Sequence, residues 1–231
     1  MAIHKALAFS GGKDSWACLW LYKDQLKDIL VIWINTGKNY PEMLETIEKA
    51  KAVCPNFVEV IVDRVGQNTY HGIPSDVVPI DWTRLGQELT SEKPVMVQSY
   101  LNCCYENIGA NLQNYCKDHG ITHLIRGQRN DERHKSTARD GVVVDGITYI
   151  QPIENWTSQE VLDFVAKHME LPDHFQFKHS SMDCYDCTAY GEESKDRIEY
   201  TKMNHQALFA EYLTRKTALN YALLQSIKGS F

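Results

Sequence analysis

Six consecutive residues, Ser10-Gly11-Gly12-Lys13-Asp14-Ser15, carry the first chemistry of this 231-residue chain. A short apolar run, Ala6-Leu7-Ala8-Phe9, precedes them, and Trp16, Leu19, Trp20 and Tyr22 follow at helical spacing. An apolar strand that passes through a glycine pair into a helix predicts a cradle for phosphate. Two glycines let the backbone turn sharply and approach an anion closely. The first N–H groups of the helix have no intrahelical partner and carry the positive end of its dipole. Ser10 and Ser15 add hydroxyls, and Lys13 adds a mobile cation. The Walker loop has a longer glycine-spaced run ending in Gly-Lys-Ser/Thr, so this is a different cradle. An ordinary strand-to-helix turn is the plain alternative.

Cys103-Cys104 and Cys184-x-x-Cys187 form a second constellation, with a separation of 80 positions from Cys104 to Cys184. The Cys-x-x-Cys spacing lets two sulfurs turn to one point, and four thiolates complete either a zinc site or a 4Fe–4S cluster. Adjacent cysteines on a helix diverge, which is awkward on one zinc ion and suits a wider cluster. Zinc and unligated or redox-active thiols are the alternatives. Cys18, Cys54 and Cys116 lie in apolar helical patterns and read as buried core thiols.

A third feature is Arg126-Gly127-Gln128-Arg129-Asn130-Asp131-Glu132-Arg133-His134-Lys135-Ser136, the densest cationic stretch in a chain of net charge −6. Arginine forks fit phosphate and sulfate oxygens bidentately. A solvated loop in which Asp131 and Glu132 neutralise Arg129 and Arg133 is the bland reading of the same residues.

The elements that must position these groups alternate. Residues 3–9 predict a strand and 13–24 a helix. The continuous apolar run Ile29 to Ile34 predicts a strand buried on both faces. Asn35-Thr36-Gly37 ends it, Pro41 opens a helix to about Val53, and Phe57 to Val62 predicts a third strand. This alternation indicates an α/β fold, an open and mainly parallel sheet with helices on both faces, followed by a C-terminal helical extension. Ligands of such sheets bind beyond the carboxyl ends of the strands, where the Ser10 loop and the Asn35 turn both fall. Residues 63–97, broken by glycines and prolines, read as a lid or substrate loop or else a surface insertion. A helix over 98–119 carries Cys103-Cys104, and a fourth strand, 121–125, runs into the cationic stretch. Asp145-Gly146 predicts a hairpin turn, and Thr157 with Glu160 a capping box. Residues 194–228 read as helical, with Leu208, Tyr212, Leu219, Leu223 and Leu224 on a packed face that docks on the domain or on a second subunit, as in a homodimer. The expected division is a nucleotide-binding domain over 1–175 and a cysteine-pair and helical segment over 176–231.

No apolar run reaches membrane-spanning length, and Met1-Ala-Ile-His-Lys-Ala is no secretion signal, so the chain reads as cytoplasmic and without a membrane partner. Seven cysteines in that setting argue against a disulfide framework. The acidic balance disfavours a large nucleic-acid footprint, although a nucleic-acid acceptor stays open.

The order of residues 10–15 closely resembles the PP-loop of the ATP pyrophosphatase superfamily, whose members split ATP between its α and β phosphates or handle adenylyl-sulfate nucleotides. Asn35-Thr36-Gly37 with Pro41-Glu42 resembles the Asp-Thr-Gly…Pro-Glu turn of phosphoadenylyl-sulfate (PAPS) reductases and of the nucleotide-binding subunit of bacterial ATP sulfurylase. Asn35 replaces the Asp, which keeps hydrogen bonding and loses a charge. Gly127, Arg129, Asp131 and Glu132 match the reductases' Gly-x-Arg-x-(Asp/Glu)-Glu/Ser segment, and Pro152-Ile153 with Trp156-Thr157 and Leu171-Pro172 matches a later one. Cys103-Cys104 and Cys184-x-x-Cys187-Thr188 resemble the signature of assimilatory adenylyl-sulfate (APS) reductases, which implies a 4Fe–4S cluster on these four cysteines.

The resemblance implies the adenine nucleotide alpha hydrolase fold and a nucleotide, ATP or an adenylyl sulfate, held by Ser10, Gly11, Gly12, Lys13, Ser15, Asn35, Thr36, Gly37, Gly127 and Arg129, with Mg2+. Lys13, Asp14, Arg129 and Arg133 are the expected catalytic groups. The reductases attack sulfur with a cysteine of a C-terminal Glu-Cys-Gly-x-His segment, whereas no cysteine follows Cys187 here. The expectation is therefore ATP-dependent adenylation and sulfur transfer to an acceptor, served by an electron- or sulfur-donor protein. The alternatives are APS/PAPS reduction to sulfite and a non-catalytic sensor that binds nucleotide and cluster.

Overall fold

The computed structural model describes residues 3–132, 135–176 and 182–228. The strands among them are β1 Lys5–Ala8, β2 Leu30–Asn35, β3 Phe57–Ile61, β4 Ile73–Ser75, β5 Val97–Ser99, β6 His123–Ile125, β7 Val143–Val144 and β8 Ile147–Ile150. The α-helices are α1 Lys13–Leu21, α2 Pro41–Val53, α3 Arg64–His71, α4 Arg84–Leu89, α5 Tyr100–Cys104, α6 Ala110–Asp118, α7 Ser158–Val165, α8 Lys195–Asn204 and α9 Gln206–Lys228. They group into two compact units. One comprises Met1–Asn35, Tyr40–Ile61 and Asn111–Lys178, and the other Thr36–Asn39, Val62–Ala110 and His179–Phe231.

The first unit is built on a six-stranded sheet of order β3-β2-β1-β6-β8-β7, parallel except for the β7–β8 pair. Leu7 is in register with Val31 on one side and Ile125 on the other. These three share one core with Trp16 and Leu19 of α1, Ile47 and Ala50 of α2, and Val161 and Val165 of α7. Side chains alternate along a strand, so Ala6, Ile32 and Leu124 point to the opposite face, and they too are buried. Burial on both faces is why β2 reads as an unbroken apolar run. The helix expected to run to residue 24 stops at Leu21 and tightens into a 3-10 turn, Lys23–Asp28. The hairpin forms as expected, with Asp145 at φ 50 and Gly146 at φ 82, the left-handed pair that a type I′ turn needs. Thr157 and Glu160 make the capping box of α7. Cys18, Cys54 and Cys116 are buried.

In the second unit the sequence gives way to an unforeseen order. The stretch read as an irregular lid or insertion forms α3, β4, a 3-10 turn Ile80–Trp82, α4 and β5. β4 and β5 pair in parallel, with Ile73 beside Val97 and Ser75 beside Ser99. Trp82 and Val97 form one core with Leu219 and Ala222 of α9, flanked by Ile73, Val78, Val95 and Leu223. The C-terminal helix therefore docks on this segment. Leu224, expected on the packed face, is 58% exposed, because it lies two residues past the buried Ala222 and so on the other side of the helix. Residues 73–97 thus share a core with α9, far along the chain.

The helical run after β5 is interrupted. Ser99 accepts the Leu101 N–H at 3.2 Å and so starts α5, and a π-helical turn, Tyr105–Gly109, follows Cys104 directly. Single π turns inside helices collect at functional sites.

Candidate functional site

β1 lies inside the first unit's sheet, between β2 and β6. The chain leaves β1 toward β2 on one side, and β6 fills the other, so the β1–β6 gap is the topological switch point at which open sheets bind ligands. The Ser10 loop leaves β1 there and the Arg126 loop leaves β6.

Phe9 is still tied to the sheet, its N–H donating to the Ile32 carbonyl at 2.8 Å. The chain then turns at Gly11, whose φ is +82 and whose added Cβ would collide with Met43 Sδ of α2. Gly12, extended at φ −75 and ψ 164, is the N-cap of α1, and no side chain caps that terminus. Ser15 Oγ donates to the Gly12 carbonyl at 2.8 Å. Ser10 Oγ accepts the Gly12 N–H and donates to Ser15 Oγ, each at 3.4 Å. The two serines thus brace the turn, and the first-turn N–H groups of α1 have no side-chain cap. Lys13 Nζ rests 2.8 Å from Asp14 Oδ2.

Gly127 seats the second loop on the first. A Cβ on it would lie 2.6 Å from the Asp14 carbonyl carbon and 3.0 Å from the Ser15 nitrogen, so the backbones touch where only glycine fits. Arg129, 4% exposed, is then aimed at α1. Its Nη1 donates to Asp14 Oδ1, its Nε donates to Asp131 Oδ1 at 2.8 Å, and its backbone N–H donates to Glu132 Oε1 at 3.1 Å. Burial pushes the Arg129 guanidinium down, but Asp14, Asp131 and Glu132 outweigh it and hold it above its ordinary value. Burial pushes the Asp131 carboxyl up, and Arg129, the Ser158 N–H and Lys13 together pull it below the usual range. Glu132 goes the other way: burial, then the Asp14 charge, push it up. The loop is fixed behind these groups by Ser136, whose N–H donates to Gln128 Oε1 at 2.9 Å and whose Oγ accepts from Arg126 Nη1 at 3.1 Å. Lys13, Asp14, Ser10, Ser15, Gly127 and Arg129 are therefore brought together. Arg133 lies outside the described residues.

Asn35 closes β2 by donating to Glu59 Oε1 at 2.6 Å. The next two residues, Thr36 and Gly37, belong to the second unit. Thr36 is buried there, donating to the Asp183 carbonyl at 3.3 Å and accepting from Cys184 Sγ at 3.5 Å. Gly37 turns at φ +71 with no heavy atom within 4 Å of an added Cβ.

All four candidate ligand cysteines fall in the second unit. Burial pushes the Cys104 thiol up to about 11 and the Cys184 thiol up to about 12. The sulfurs also have polar partners. Cys103 Sγ accepts from Asn68 Nδ2 at 3.5 Å and Asn107 Nδ2 at 3.6 Å, and Cys104 Sγ lies 3.5 Å from the Tyr190 hydroxyl. Tyr190 holds an uncommon φ of +59, fixed by Asp76, which accepts the Tyr190 and Gly191 N–H groups at 2.9 and 3.1 Å. Among the described residues no three His, Cys, Asp or Glu side chains converge to grip one metal ion.

Sequence reading missed the groups around these cysteines: Asn68, Asn107, Arg64, Arg197 and Arg215. Asp186, between the paired cysteines, was the one available signal, since a carboxylate there needs cations brought from elsewhere.

A family model described as the phosphoadenosine phosphosulfate reductase domain matches residues 4–190. Among solved structures, the phosphoadenylyl-sulfate (PAPS) reductase from Candida auris in its phosphate complex is similar, with 16% identity, a TM-score of 0.49, and 78% of this chain and 80% of that one covered. The predicted subunit of tRNA methyltransferase from Methanocaldococcus jannaschii shares 17% identity at a TM-score of 0.44, covering 86% and 88%. The NH3-dependent NAD synthetase from Campylobacter jejuni shares 14% at 0.46, covering 94% and 85%. No curated protein matches the chain. No helix among the described residues is long and apolar enough to cross a membrane.

Proposed function

The chain belongs to the family of the phosphoadenosine phosphosulfate reductase domain, and from that premise we propose that it binds ATP or an adenylyl-sulfate nucleotide at the Ser10–Ser15 loop and transfers adenylyl and then sulfur to an acceptor. The observation that carries this reading is Lys13, in the first turn of α1, and Arg129, from the loop after β6, meeting on the Asp14 carboxylate beside an α1 N-terminus that no side chain caps. An entering polyphosphate exchanges its oxygens for the Asp14 carboxylate on Lys13 and meets the first-turn N–H groups. Arg129 offsets the charge that develops at the α phosphorus as pyrophosphate leaves. Magnesium binds through few protein carboxylates plus phosphate oxygens, a role that fits Asp14.

The donor set also fits a 4Fe–4S cluster on Cys103, Cys104, Cys184 and Cys187. The four thiols belong to one unit, and the sulfurs of Cys103 and Cys104 have N–H or O–H partners. Such a cluster supplies electron or sulfur relay when bound. A second reading, reduction of APS or PAPS to sulfite, is favoured by the family model. It requires a thiolate nucleophile, and Cys54 and Cys116 are buried, with thiols pushed up to about 11 by that burial.

The deciding experiment uses anaerobically purified protein, wild type and Lys13→Met, assayed for ATP binding, pyrophosphate release and sulfite formation. The variant is expected to bind ATP at least ~10-fold more weakly, matching the loss of one charge-assisted contact of roughly 1.5–3 kcal/mol. Equal affinity in both proteins overturns the loop assignment. Sulfite formation selects the reductase, and binding without pyrophosphate release leaves a sensor.

A further inference from the structure

Three arginines from three helices hold the Cys184–Cys187 loop. Arg197 of α8 is 2% exposed. Its Nη1 donates to the carbonyls of Cys184 at 3.0 Å and Tyr185 at 3.3 Å, and its Nη2 to the Cys187 carbonyl at 3.2 Å and Ser194 Oγ at 3.1 Å. One rigid fork thus spans the whole Cys-x-x-Cys turn. Asp186, inside that turn and 1% exposed, is gripped from both sides. Arg64 of α3 reaches its two oxygens at 2.8 and 3.2 Å, and Arg215 of α9 reaches Oδ2 at 2.7 Å. Arg215 continues the chain of contacts, because its Nη2 donates to Asn68 Oδ1 at 2.6 Å and Asn68 Nδ2 donates to Cys103 Sγ at 3.5 Å. The Cys-x-x-Cys turn and the Cys-Cys helix are therefore wired together through Asn68.

The charge balance is uneven. Arg64, Arg197 and Asp186 are the fully buried charged side chains described in this unit, and the half-buried Arg215 adds a third cation. Buried positive charge in excess of its carboxylate is costly unless an anion compensates it. Four thiolates around a core of two positive charges form such an anion. Arg64 holds Asp186, which lies between Cys184 and Cys187 in the chain, and so places a buried cation on the Cys-x-x-Cys turn.

We propose that Arg64, Arg197 and Arg215 are positioning residues for the four cysteines, holding the Cys184–Cys187 loop ready to bind and supplying the countercharge of a tetrathiolate metal centre. This rests on the cluster reading above. Arg197 acts through geometry and Arg64 through charge. The conservative variants separate these roles: Arg197→Lys keeps the charge but cannot span three carbonyls, whereas Arg64→Lys keeps the charge beside Asp186 in the Cys-x-x-Cys turn.

The test uses the anaerobically purified full chain as wild type, Cys184→Ala, Arg197→Met, Arg197→Lys, Arg64→Met and Arg64→Lys. Iron, zinc and acid-labile sulfide are counted, metal release to a chelator is timed, circular dichroism reports the fold, and the reduction potential is measured on iron-loaded protein. Both Arg197 variants are expected to release metal about 10-fold or more faster, the scale on which groups behind the ligands act. Arg64→Met is expected to lower the reduction potential, because a lost cation disfavours the added electron, and Arg64→Lys is expected to restore it. Wild-type release rates in Arg197→Met together with a wild-type potential in Arg64→Met overturn the proposal while leaving the cluster reading intact. Metal absent from the wild type, or retained in Cys184→Ala, overturns the cluster reading and the proposal with it. If Arg197→Met does not fold, the Arg64 pair decides; if the metal is zinc, release rates decide.

Discussion

Arg129 donates to Asp14 across 115 residues of sequence, closing the loop after β6 onto the first turn of α1. The pair joins the two ends of the switch point, and Lys13 shares the same carboxylate. Arg129→Met removes the guanidinium that joins Asp14 to Asp131 and leaves Lys13 to offset these carboxylates. Breaking a buried pair costs about 3–5 kcal/mol; with Asp14 partly solvated, the low end is expected. The melting temperature should fall by roughly 6–12 °C at about 2–4 °C per kcal/mol. A melt within ~2 °C of the wild type on the same scale would show that the pair does not hold the loops.

Glu132 gives a pH signature. Burial and Asp14 push its carboxyl up, so the folded state holds its proton more tightly than the unfolded chain. Its contribution is most favourable at low pH and is lost as pH rises through the folded value. Glu132→Gln keeps an acceptor for the Arg129 N–H and removes the charge. The variant should melt higher than the wild type at neutral pH and bind ATP more tightly, and both differences should vanish on acidification below the carboxylate range. Thermal melts and calorimetric titrations across pH read this directly, and a difference independent of pH would sink it.

The two site glycines should respond differently to alanine. At Gly127 the obstacle is the backbone of Asp14 and Ser15, whereas at Gly11 it is the Met43 side chain plus a positive φ. Side chains give way more easily than backbone. Gly11→Ala is expected to cost about 1–2 kcal/mol for the left-handed conformation, and Met43→Ala should recover part of any further loss. Gly127→Ala should weaken nucleotide binding by more than its stability cost alone, because it pries Asp14 and Ser15 away from β6, and no side-chain truncation should rescue it. Rescue of both or of neither by Met43→Ala contradicts this assignment.

Asp186 should be among the most sensitive carboxylates. Burial pushes it up, but Arg64 and Arg215 outweigh burial and hold it below the usual range. Its stabilisation is present above the unfolded carboxylate value and is lost as pH falls through the lower folded one. Asp186→Ala strands Arg64 and is expected to cost about 3–5 kcal/mol in the metal-free protein at neutral pH, with the deficit shrinking in acid. Denaturant unfolding at several pH values measures it, and a constant deficit would point to packing instead of charge.

Much of the first unit was legible because its signals are local. The glycine pair after β1, Pro41 at the head of α2, Asp145-Gly146, and Thr157 with Glu160 each fix a turn or a helix start through their own backbone chemistry. The unbroken apolar run of β2 announced burial on both faces. Gly127 was legible only as a pattern, and its contact with Asp14 and Ser15 gives the reason for it. The second unit was decided by tertiary structure. β4 and β5 are three-residue strands too short to show a periodicity, and their core forms because Trp82 and Val97 bury against Leu219 and Ala222 of α9. Likewise the sequence by itself determined that four cysteines come as two pairs. Which arginines and amides surround them depended on α3, α8 and α9 meeting, since a buried carboxylate such as Asp186 selects its cations by proximity in space, and spacing along the chain does not encode that.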